Sequence, residues 1–352
     1  MAGDADHASV TGREAFAQYA ALDRTFGLFA GRLDDMERAM GTRPDGAVCF
    51  IGCGSSYCLA KSAALALGRR ARRRSMAFAA GDALVNYDSY AGILRDATLV
   101  TLSRSGSTSE VVDLVTRAKA DYGAPHVAVC ANTGSRLSAL ADLCMEMPWA
   151  FDEAVCQTRC VTNLYLAAMM AVAALTGDGA MVESLGGAVA DGERYMAEWA
   201  PRLKAVAEGG WDTALVLADG AMGGIAEEGA LAFVEICRLH SNFHNLLDVR
   251  HGPMVKVGGG TLAIAALSDG DMGLQAALLR DLKAKGATVV AFCAWDADAP
   301  HADLCVRVPR RADPVAYGIP FIFVPQAIAL YKAAATGVDP DRPEGLSPWI
   351  KL

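Results

Sequence analysis

The sequence is poor in charged residues, which make up only 20% of its 352 residues, and its densest basic run is the short RRARRR at residues 69–74. Its 40 acidic residues outnumber its 32 basic residues, so the formal net charge is −8. Proteins that bind nucleic acid through its phosphates usually carry a basic surface. We therefore expect no nucleic-acid partner, and an anionic ligand would be held by local dipoles and a few cations.

The sequence also lacks an apolar run of the roughly 18 residues that a membrane-spanning helix needs. Its longest candidate, residues 165–175 (YLAAMMAVAAL), is better explained as a buried helix. The first ten residues, MAGDADHASV, are polar and acidic and do not resemble a secretory signal. These absences predict no membrane association and a cytoplasmic location.

The ten cysteines include no Cys-x-x-Cys pair. Most lie in apolar runs such as VCFIGCGSS, VAVCAN and VAFCAW. Cys49, Cys53 and Cys58 are spaced irregularly for zinc, which needs tighter and repeated spacing. We interpret the cysteines as reduced core residues and predict no metal site.

Apolar residues make up 53% of the chain, and its length favours two hydrophobic cores. The predicted strands cover residues 48–51, 98–102, 127–130, 144–147, 214–218, 262–266, 289–293 and 305–308. The predicted helices cover residues 13–41, 57–67, 109–121, 135–143, 226–240 and 273–285, with a glycine-broken pair over 160–207. Alternating strands and helices predict an α/β fold of two doubly wound parallel sheets.

The predicted organisation has four parts. A helical segment covers residues 1–44, the first α/β domain residues 45–200, the second residues 201–335, and a C-terminal tail residues 336–352. The two halves repeat the order of their elements, while their residues differ.

The first chemistry-bearing segment follows the first predicted strand. Cys53, Gly54, Ser55 and Ser56 form a turn of small residues in which backbone amides can face an anion or a sugar hydroxyl. A dinucleotide-binding turn would need a third glycine where Tyr57 stands, and an acidic residue about 20 positions further on. An ordinary strand-to-helix turn remains an alternative.

The second segment is denser in hydroxyl groups. Residues 103–109 (SRSGSTS) follow the strand that ends at Leu102 and precede a predicted helix. Open α/β sheets bind ligands at this end of their strands, and hydroxyls with amides at a helix N-terminus suit a phosphate. Arg104 adds a positive charge. The alternative is an ordinary serine-rich helix cap. A nucleoside triphosphate site is not expected, because the segment lacks the Gly-Lys-Ser/Thr of a P-loop.

The third segment joins a predicted helix to a loop. Glu228 and Glu235 are seven residues apart and share a helix face. Apolar neighbours (Leu231, Phe233, Val234 and Ile236) would partly desolvate Glu235 and make it a base near neutral pH. His251 in the following His-Gly-Pro loop is a candidate acid. A surface glutamate and a structural histidine are the alternative.

His240 and His244 have the i, i+4 spacing of metal ligands on a helix. No carboxylate follows them in a zinc pattern. The alternative to a metal site is that the two histidines lie at a helix end or at an interface.

Together these segments resemble the sugar isomerase (SIS) domain family over residues 45–352. Within it, the chain is similar to the isomerase half of glucosamine-6-phosphate synthases and to stand-alone isomerases, deglycases and deaminases. The small-residue turn matches residues 53–56, the serine-rich loop matches residues 103–108, and the stretch from Glu-Gly-Ala-Leu to His-Gly-Pro matches residues 228–253 without a gap.

The resemblance implies roles for these positions. It places the family's base on Glu235, its ring-opening histidine on His251, and its phosphate-binding hydroxyls on Ser103, Ser105 and Thr108. It also implies substrate contacts at Glu228, a homodimer with His251 donated across the interface, and no metal or organic cofactor.

The sequence departs from the synthases in three ways, and these change the reaction that we expect. The synthase lysines fall on Ala232 and Pro348 here, and Lys351 is nearby but out of register. The glutamine of the synthase loop is Arg104. Nothing comparable to the synthase glutaminase domain precedes the first half. We therefore expect isomerisation, deamination or deglycation of a sugar 6-phosphate rather than amination; the alternative is a non-catalytic sugar-phosphate-binding regulator.

Overall fold

The structure is a computed structural model that describes residues 8–71, 73–294 and 299–345. Three N-terminal helices come first: α1 (Val10–Phe16), α2 (Gln18–Ala30) and α3 (Leu33–Met40). The first half then contains β1 (Val48–Gly52), α4 (Ser55–Arg70), β2 (Ser75–Ala79), α5 (Ala80–Val85), α6 (Tyr87–Leu94), β3 (Thr98–Ser103), α7 (Ser109–Tyr122), β4 (His126–Cys130), α8 (Arg136–Leu140) and β5 (Leu143–Glu146).

Three helices connect the halves: α9 (Arg159–Thr176), α10 (Gly179–Ala190) and α11 (Gly192–Ala207). The second half contains β6 (Thr213–Leu217), α12 (Met222–Cys237), β7 (His240–His244), β8 (Thr261–Ala266), α13 (Met272–Ala284), β9 (Thr288–Cys293), β10 (Leu304–Arg307) and α14 (Gly318–Thr336). The helical stretch that was predicted to break once breaks twice.

Both sheets are parallel and five-stranded. Their strand orders are β2-β1-β3-β4-β5 and β10-β9-β8-β6-β7, which is the same 2-1-3-4-5 order when each half is counted separately. This is the flavodoxin-like order, in which ligands bind where the chain changes direction across the sheet. The predicted fold class is confirmed, and in the first half this crevice lies between β1 and β3.

The sequence-based prediction missed β2 and β7. Both are edge strands, and all their residues except the buried Phe78 are half-buried or exposed, unlike the fully buried β1 and β3. A strand that is buried on one side only has no continuous apolar run to reveal it. The helix predicted over residues 226–240 instead ends at Cys237, where Arg238 adopts a left-handed conformation (φ 56°).

The two halves repeat paired side chains as well as elements. Lys119 on α7 contacts Asp142 at 2.9 Å. Lys283 on α13 contacts Asp303 at 2.8 Å in the same way. Each aspartate also accepts a backbone N–H near the start of β4 or β9, both at 2.7 Å. The expectation that only element order repeats is therefore wrong at these positions.

Two segments, Arg159–Thr176 and Pro314–Thr336, are long and apolar enough to cross a membrane by length and composition. The expectation that no segment reaches this length is thereby corrected. In the fold, 83% and 94% of the residues in their most apolar windows are buried inside the protein. Their composition is thus explained by packing, since core helices are apolar on every face.

Helix α12 of the second half packs directly against α4 of the first half. A Cβ atom on Gly224 would lie 2.1 Å from the Cys58 carbonyl oxygen, so only glycine permits this approach. The Ile225 N–H donates to Ser62 Oγ at 3.0 Å across the same contact. On the other side of α12, a Cβ on Gly229 would lie 2.7 Å from the Pro325 ring. These contacts place Glu228 and Glu235 of α12 at the ligand-binding edge of the first sheet.

Candidate active site

The turn after β1 is built from small residues for steric reasons. A Cβ atom on Gly52 would lie 2.7 Å from Ser56 Cβ, and Gly54 has a positive φ of 52°. Helix α4 begins at Ser55, and both serines are buried. The turn that contains Cys53 therefore lies at the carboxyl end of β1, beside β3.

The loop after β3, residues 103–108, is called the serine loop below. The Ser103 hydroxyl accepts a hydrogen bond from the Gly106 N–H at 2.9 Å, and the Ser105 hydroxyl accepts one from the Ser107 N–H at 3.2 Å. Because each hydroxyl accepts here, its own O–H can be donated to an anion. Thr108 directly precedes α7, whose first turn adds backbone N–H groups and the positive end of the helix dipole. The arrangement suits a phosphate group.

Gly106 fixes the shape of the serine loop. Its φ is 61°, and a Cβ atom there would lie 2.1 Å from Ser135 Oγ and 3.2 Å from Cys130 Sγ. Its carbonyl accepts the Leu137 N–H at 2.9 Å. The loop therefore packs on α8 without room for any side chain at position 106.

Two carboxyl groups on α12 face this edge. Glu228 is 2% exposed, and its Oε2 has no hydrogen-bond partner among the described residues. Burial raises the pKa of Glu228 well above its usual range; the charge of Glu235 raises it further, and a hydrogen bond from Ser55 opposes the shift. Burial raises the pKa of Glu235 to about 7, and the charge of Arg104 lowers it. Neighbouring carboxyls with separated pKa values can serve as a proton donor and a base.

Arg104 connects the serine loop to Glu235. Its guanidinium is buried and donates to the carbonyl oxygens of Ala154 and Val155 at 2.6 and 3.2 Å. These bonds anchor it on the segment that follows β5. Its role as a phosphate ligand stays a prediction, while its electrostatic effect on the pKa of Glu235 follows from the geometry.

Cys156 is a neighbour of the site that the sequence analysis missed. Its Sγ donates to the Pro340 carbonyl at 3.6 Å. Burial raises the pKa of the Cys156 thiol, the charges of Glu235 and Asp341 raise it further, and the charge of Arg104 opposes the rise. The segment near residue 340 therefore passes close to Glu235. No motif surrounds Cys156, so only the fold reveals this proximity.

His251 is an exposed loop residue. It lies between two short 3₁₀ turns, Asp248–Arg250 and Pro253–Lys256, and its side chain is exposed. Its charge is not among those that shift the pKa of Glu235. The fold brings together three groups of predicted site residues: the turn after β1, the serine loop and the two glutamates. Lys351 lies outside the described residues.

The helical arrangement that would let His240 and His244 share a metal ion does not occur. Both residues lie on β7, where four residues span roughly 13 Å, too far for two side chains to share an ion. Among residues 8–71, 73–294 and 299–345, no group of three or more His, Cys, Asp or Glu side chains is placed to hold a metal ion.

Comparison with known proteins identifies relatives over most of the chain. The chain is 28% identical over 323 residues to a glutamine–fructose-6-phosphate aminotransferase (isomerizing) of Pyrobaculum aerophilum, covering 87% of this chain and 51% of the relative. It is 24% identical over 275 residues to the corresponding protein of Escherichia coli K12, covering 74% and 44%. The chain thus spans about half the length of these relatives.

Solved structures share its fold. Glucosamine-6-phosphate deaminase of Thermotoga maritima superposes with a TM-score of 0.82 at 23% identity, covering 98% of this chain and 100% of that one. Tagatose-6-phosphate ketose/aldose isomerase of Escherichia coli superposes with a TM-score of 0.84 at 19% identity, covering 99% of both chains. The SIS domain model matches residues 43–176 and 210–336, one match for each half. The chain therefore belongs to the SIS domain family and has the fold of its phosphosugar isomerases and deaminases.

Proposed function

We propose that the protein is an enzyme that binds a sugar 6-phosphate and moves a proton between C1 and C2. The overall reaction would be aldose–ketose isomerisation, deamination of an amino sugar or deglycation. The observation that carries the proposal is the position of Glu235, whose carboxyl has a pKa of about 7 and lies near the serine loop. A carboxylate that titrates near neutral pH is suited to abstract a carbon-bound proton.

In the proposed mechanism the phosphate anchors the substrate. The hydroxyls of Ser103, Ser105 and Thr108, with the backbone N–H groups that begin α7, bind its oxygens. The turn at residues 53–56 lies across the same crevice and contacts the sugar hydroxyls. Holding the phosphate at a fixed distance from the base turns proton transfer into an intramolecular step and supplies much of the rate.

The proton transfers follow in sequence. His251 moves a proton between the ring oxygen and the C1 hydroxyl, which opens the sugar ring. Glu235 then removes the proton from C2 or C1 and leaves an enediol, or an enaminol when the sugar carries nitrogen. Reprotonation at the neighbouring carbon completes isomerisation. In a sugar that carries nitrogen the same reprotonation gives an imine, and one water hydrolyses the imine to a carbonyl and the free amine, which completes deamination or deglycation. Glu228, protonated because of its raised pKa, donates a hydrogen bond to a substrate oxygen.

We also propose a homodimer in which His251 reaches the Glu235 site of the other copy. The exposed position of His251 supports this arrangement, because an exposed side chain is accessible to a second copy. Exposed apolar side chains support it as well: Val234, next to Glu235, is 45% exposed, and Val255, close to His251, is 80% exposed. Apolar side chains exposed near functional residues often mark an interface.

The C-terminal tail is proposed to complete the same site. The charge of Asp341 raises the pKa of Cys156, and so does the charge of Glu235. The chain therefore approaches the site just before residue 346. We propose that Lys351, which lies outside the described residues, contacts the substrate in place of the lysine that the synthases carry.

Deuterium exchange tests the proposed reaction. The protein would be incubated in D2O with fructose-6-phosphate, glucose-6-phosphate, glucosamine-6-phosphate, galactosamine-6-phosphate or a fructosyl-amino-acid 6-phosphate, and the C1 and C2 protons followed by NMR. We expect deuterium uptake or product formation with at least one of them. Binding of a sugar phosphate without any exchange would contradict the enzyme and favour a sugar-phosphate-binding regulator.

The pH dependence of the reaction should report the influence of Arg104 on Glu235. The base is active when ionised, so kcat/KM should fall as the pH drops below about 7. Arg104 lowers the pKa of Glu235, so Arg104→Gln should move this acid limb upward by about one pH unit. Arg104→Lys keeps the charge and serves as the control. An unchanged acid limb in Arg104→Gln, with the fold intact by circular dichroism, would show that Arg104 does not act on the base.

A further inference from the structure

A cysteine pair occurs at matching positions in the two halves. Cys130 ends β4 and Cys144 lies on β5, while Cys293 ends β9 and Cys305 lies on β10. Cys144 is in register with Ala128, two residues before Cys130. The second pair has the same diagonal register, since Cys305 is aligned with residue 291. Each pair therefore lies on one face of its sheet.

The thiols of each pair are in contact. Cys293 Sγ and Cys305 Sγ are 3.3 Å apart. In the first half, a hydrogen bond between the Cys130 and Cys144 thiols shifts the pKa of both groups. In the second pair the sulfur atoms are close enough to bond once the strands shift toward each other.

The two thiols of each pair differ in access to solvent. Cys130 and Cys293 are at most 1% exposed, while Cys144 and Cys305 are half-buried. The hydrogen bond between the two thiols of each pair lowers the pKa of Cys144 and of Cys305 below the usual value. Accessible thiolates are the cysteine species that react with oxidants. Each pair thus combines an accessible thiolate with a second thiol beside it.

We propose that the pairs Cys130–Cys144 and Cys293–Cys305 are oxidation sites that form intrachain disulfides with hydrogen peroxide. The accessible thiolate attacks a peroxide oxygen, the O–O bond breaks, and one water leaves after protonation. The neighbouring thiolate attacks the resulting sulfenic sulfur, an S–S bond forms, and the S–O bond breaks to release a second water. Two thiols lose two electrons in total, and these reduce one peroxide to two waters.

The sheet geometry makes such disulfides reversible. Diagonal neighbours on adjacent strands have Cα atoms about 7–8 Å apart, which is beyond the usual span of a disulfide. The strands β5 and β10 are edge strands and have one neighbour each, so they can shift toward β4 and β9. A disulfide that joins residues at the limit of the Cα separation it can span is readily reduced by thiols.

The first pair lies beneath the serine loop. A Cβ atom on Gly106 would be 3.2 Å from Cys130 Sγ, so this sulfur supports the loop from below. A disulfide would draw Cys130 toward Cys144 and alter its packing against Gly106 in the serine loop. The consequence, which rests on the proposed function, is weaker phosphate binding; loss of one hydrogen bond to a charged oxygen lowers affinity roughly ten-fold.

Differential alkylation with mass spectrometry tests the disulfides. The full chain would be treated with hydrogen peroxide, blocked with N-ethylmaleimide, reduced and alkylated with a second label. We expect the second label at both pairs, disappearing when dithiothreitol is added before blocking. Cys53 is the matched control: it is also half-buried, but burial raises its pKa to about 11, so it should keep the first label.

Single variants sharpen the result. In Cys293→Ser, Cys305 has no partner and should accumulate as a sulfenic acid that dimedone traps, while the first pair still closes. Sulfinic acid at Cys144 and Cys305 of the wild type without any disulfide would overturn the proposal, and so would full retention of the first label at both pairs.

The effect on phosphate binding is measured separately. Calorimetry with glucose-6-phosphate would compare the oxidised and reduced forms of Cys305→Ser, which keeps only the first pair, and Cys144→Ser, which keeps only the second. We expect a roughly ten-fold loss of affinity on oxidation in Cys305→Ser alone. Failure of the reduced proteins to bind any sugar phosphate would contradict the proposed function instead, and the labelling result would stand.

Discussion

Replacing Glu235 by glutamine should lower the rate of C1–C2 proton exchange by roughly 10²- to 10⁴-fold, the usual contribution of a general base. Glutamine has nearly the same shape but cannot accept a proton, so substrate affinity should change little. Exchange would be followed by NMR in D2O. Glu227→Gln is the matched control, because Glu227 lies on the same helix and forms an ion pair with Lys61 at the surface. Equal losses in both variants would refute the role of Glu235.

The same variant should be more stable than the wild type at high pH. The pKa of Glu235 is raised from 4.5 to about 7 in the folded state, so the folded protein binds the proton more tightly than the unfolded chain. The associated stability is fully present below pH 4.5 and is lost as the pH rises through 7. Glutamine removes this loss, worth roughly 3 kcal/mol.

Thermal melts at pH 5 and pH 8 would measure the difference. The gain in Tm of Glu235→Gln over the wild type should be larger at pH 8. An equal Tm difference at both pH values would mean that the carboxyl is not desolvated in the fold. A base that destabilises the folded protein is the expected cost of its function.

Mixing the variant with His251→Ala tests the shared site. If His251 acts across a dimer interface, a heterodimer of the two inactive chains contains one intact site and one doubly altered site. Refolding the chains together in equal amounts should then restore activity at about one quarter of the sites, by random pairing of subunits. Activity that stays absent after mixing, although the heterodimer is detected, would show that both residues act within one chain.

Gly106→Ala is the second change with a large expected effect. The backbone at Gly106 has a φ of 61°, and the added Cβ would meet Ser135 Oγ at 2.1 Å. Left-handed strain costs roughly 1–2 kcal/mol, and overpacking typically adds 1–3 kcal/mol. We expect a loss of roughly 2–5 kcal/mol in the free energy of unfolding, measured with urea, and a raised KM for the sugar phosphate.

Gly134→Ala separates these two causes. Gly134 also has a left-handed backbone (φ 59°), but a Cβ there meets nothing within 4 Å. It should therefore lose only the 1–2 kcal/mol of strain and leave KM unchanged. If Gly106→Ala were no worse than Gly134→Ala, the close packing of the serine loop on α8 would not matter for binding.

Much of the fold was predictable because its strands are buried. The runs at β1, β3, β4 and β8 are rich in apolar residues and buried throughout, which is the pattern of parallel strands covered on both faces. The edge strands β2 and β7 were missed because half of each faces solvent. For the same reason the predicted helix was extended to His240, which instead begins an edge strand.

The candidate site was predictable only in parts. The serine loop and the small-residue turn follow buried strands, and parallel strands deliver their carboxyl ends to one edge of a sheet. The contact of α12 with α4 was not predictable, since it depends on Gly224 fitting against a carbonyl of Cys58, far away in the sequence. Nothing in the local sequence indicates that Cys156 and Pro340 lie beside Glu235.

The sequence by itself therefore determined the fold class, the serine loop and the residue types available for proton transfer, because buried periodicity and hydroxyl-rich turns are local properties. The tertiary structure alone decided their chemistry. It brought the charge of Arg104 to Glu235, buried Glu228 beside Ser55, and left His251 exposed. A pKa depends on desolvation and on charges within a few ångströms. Those neighbours come from distant parts of the chain, so only the folded molecule defines them.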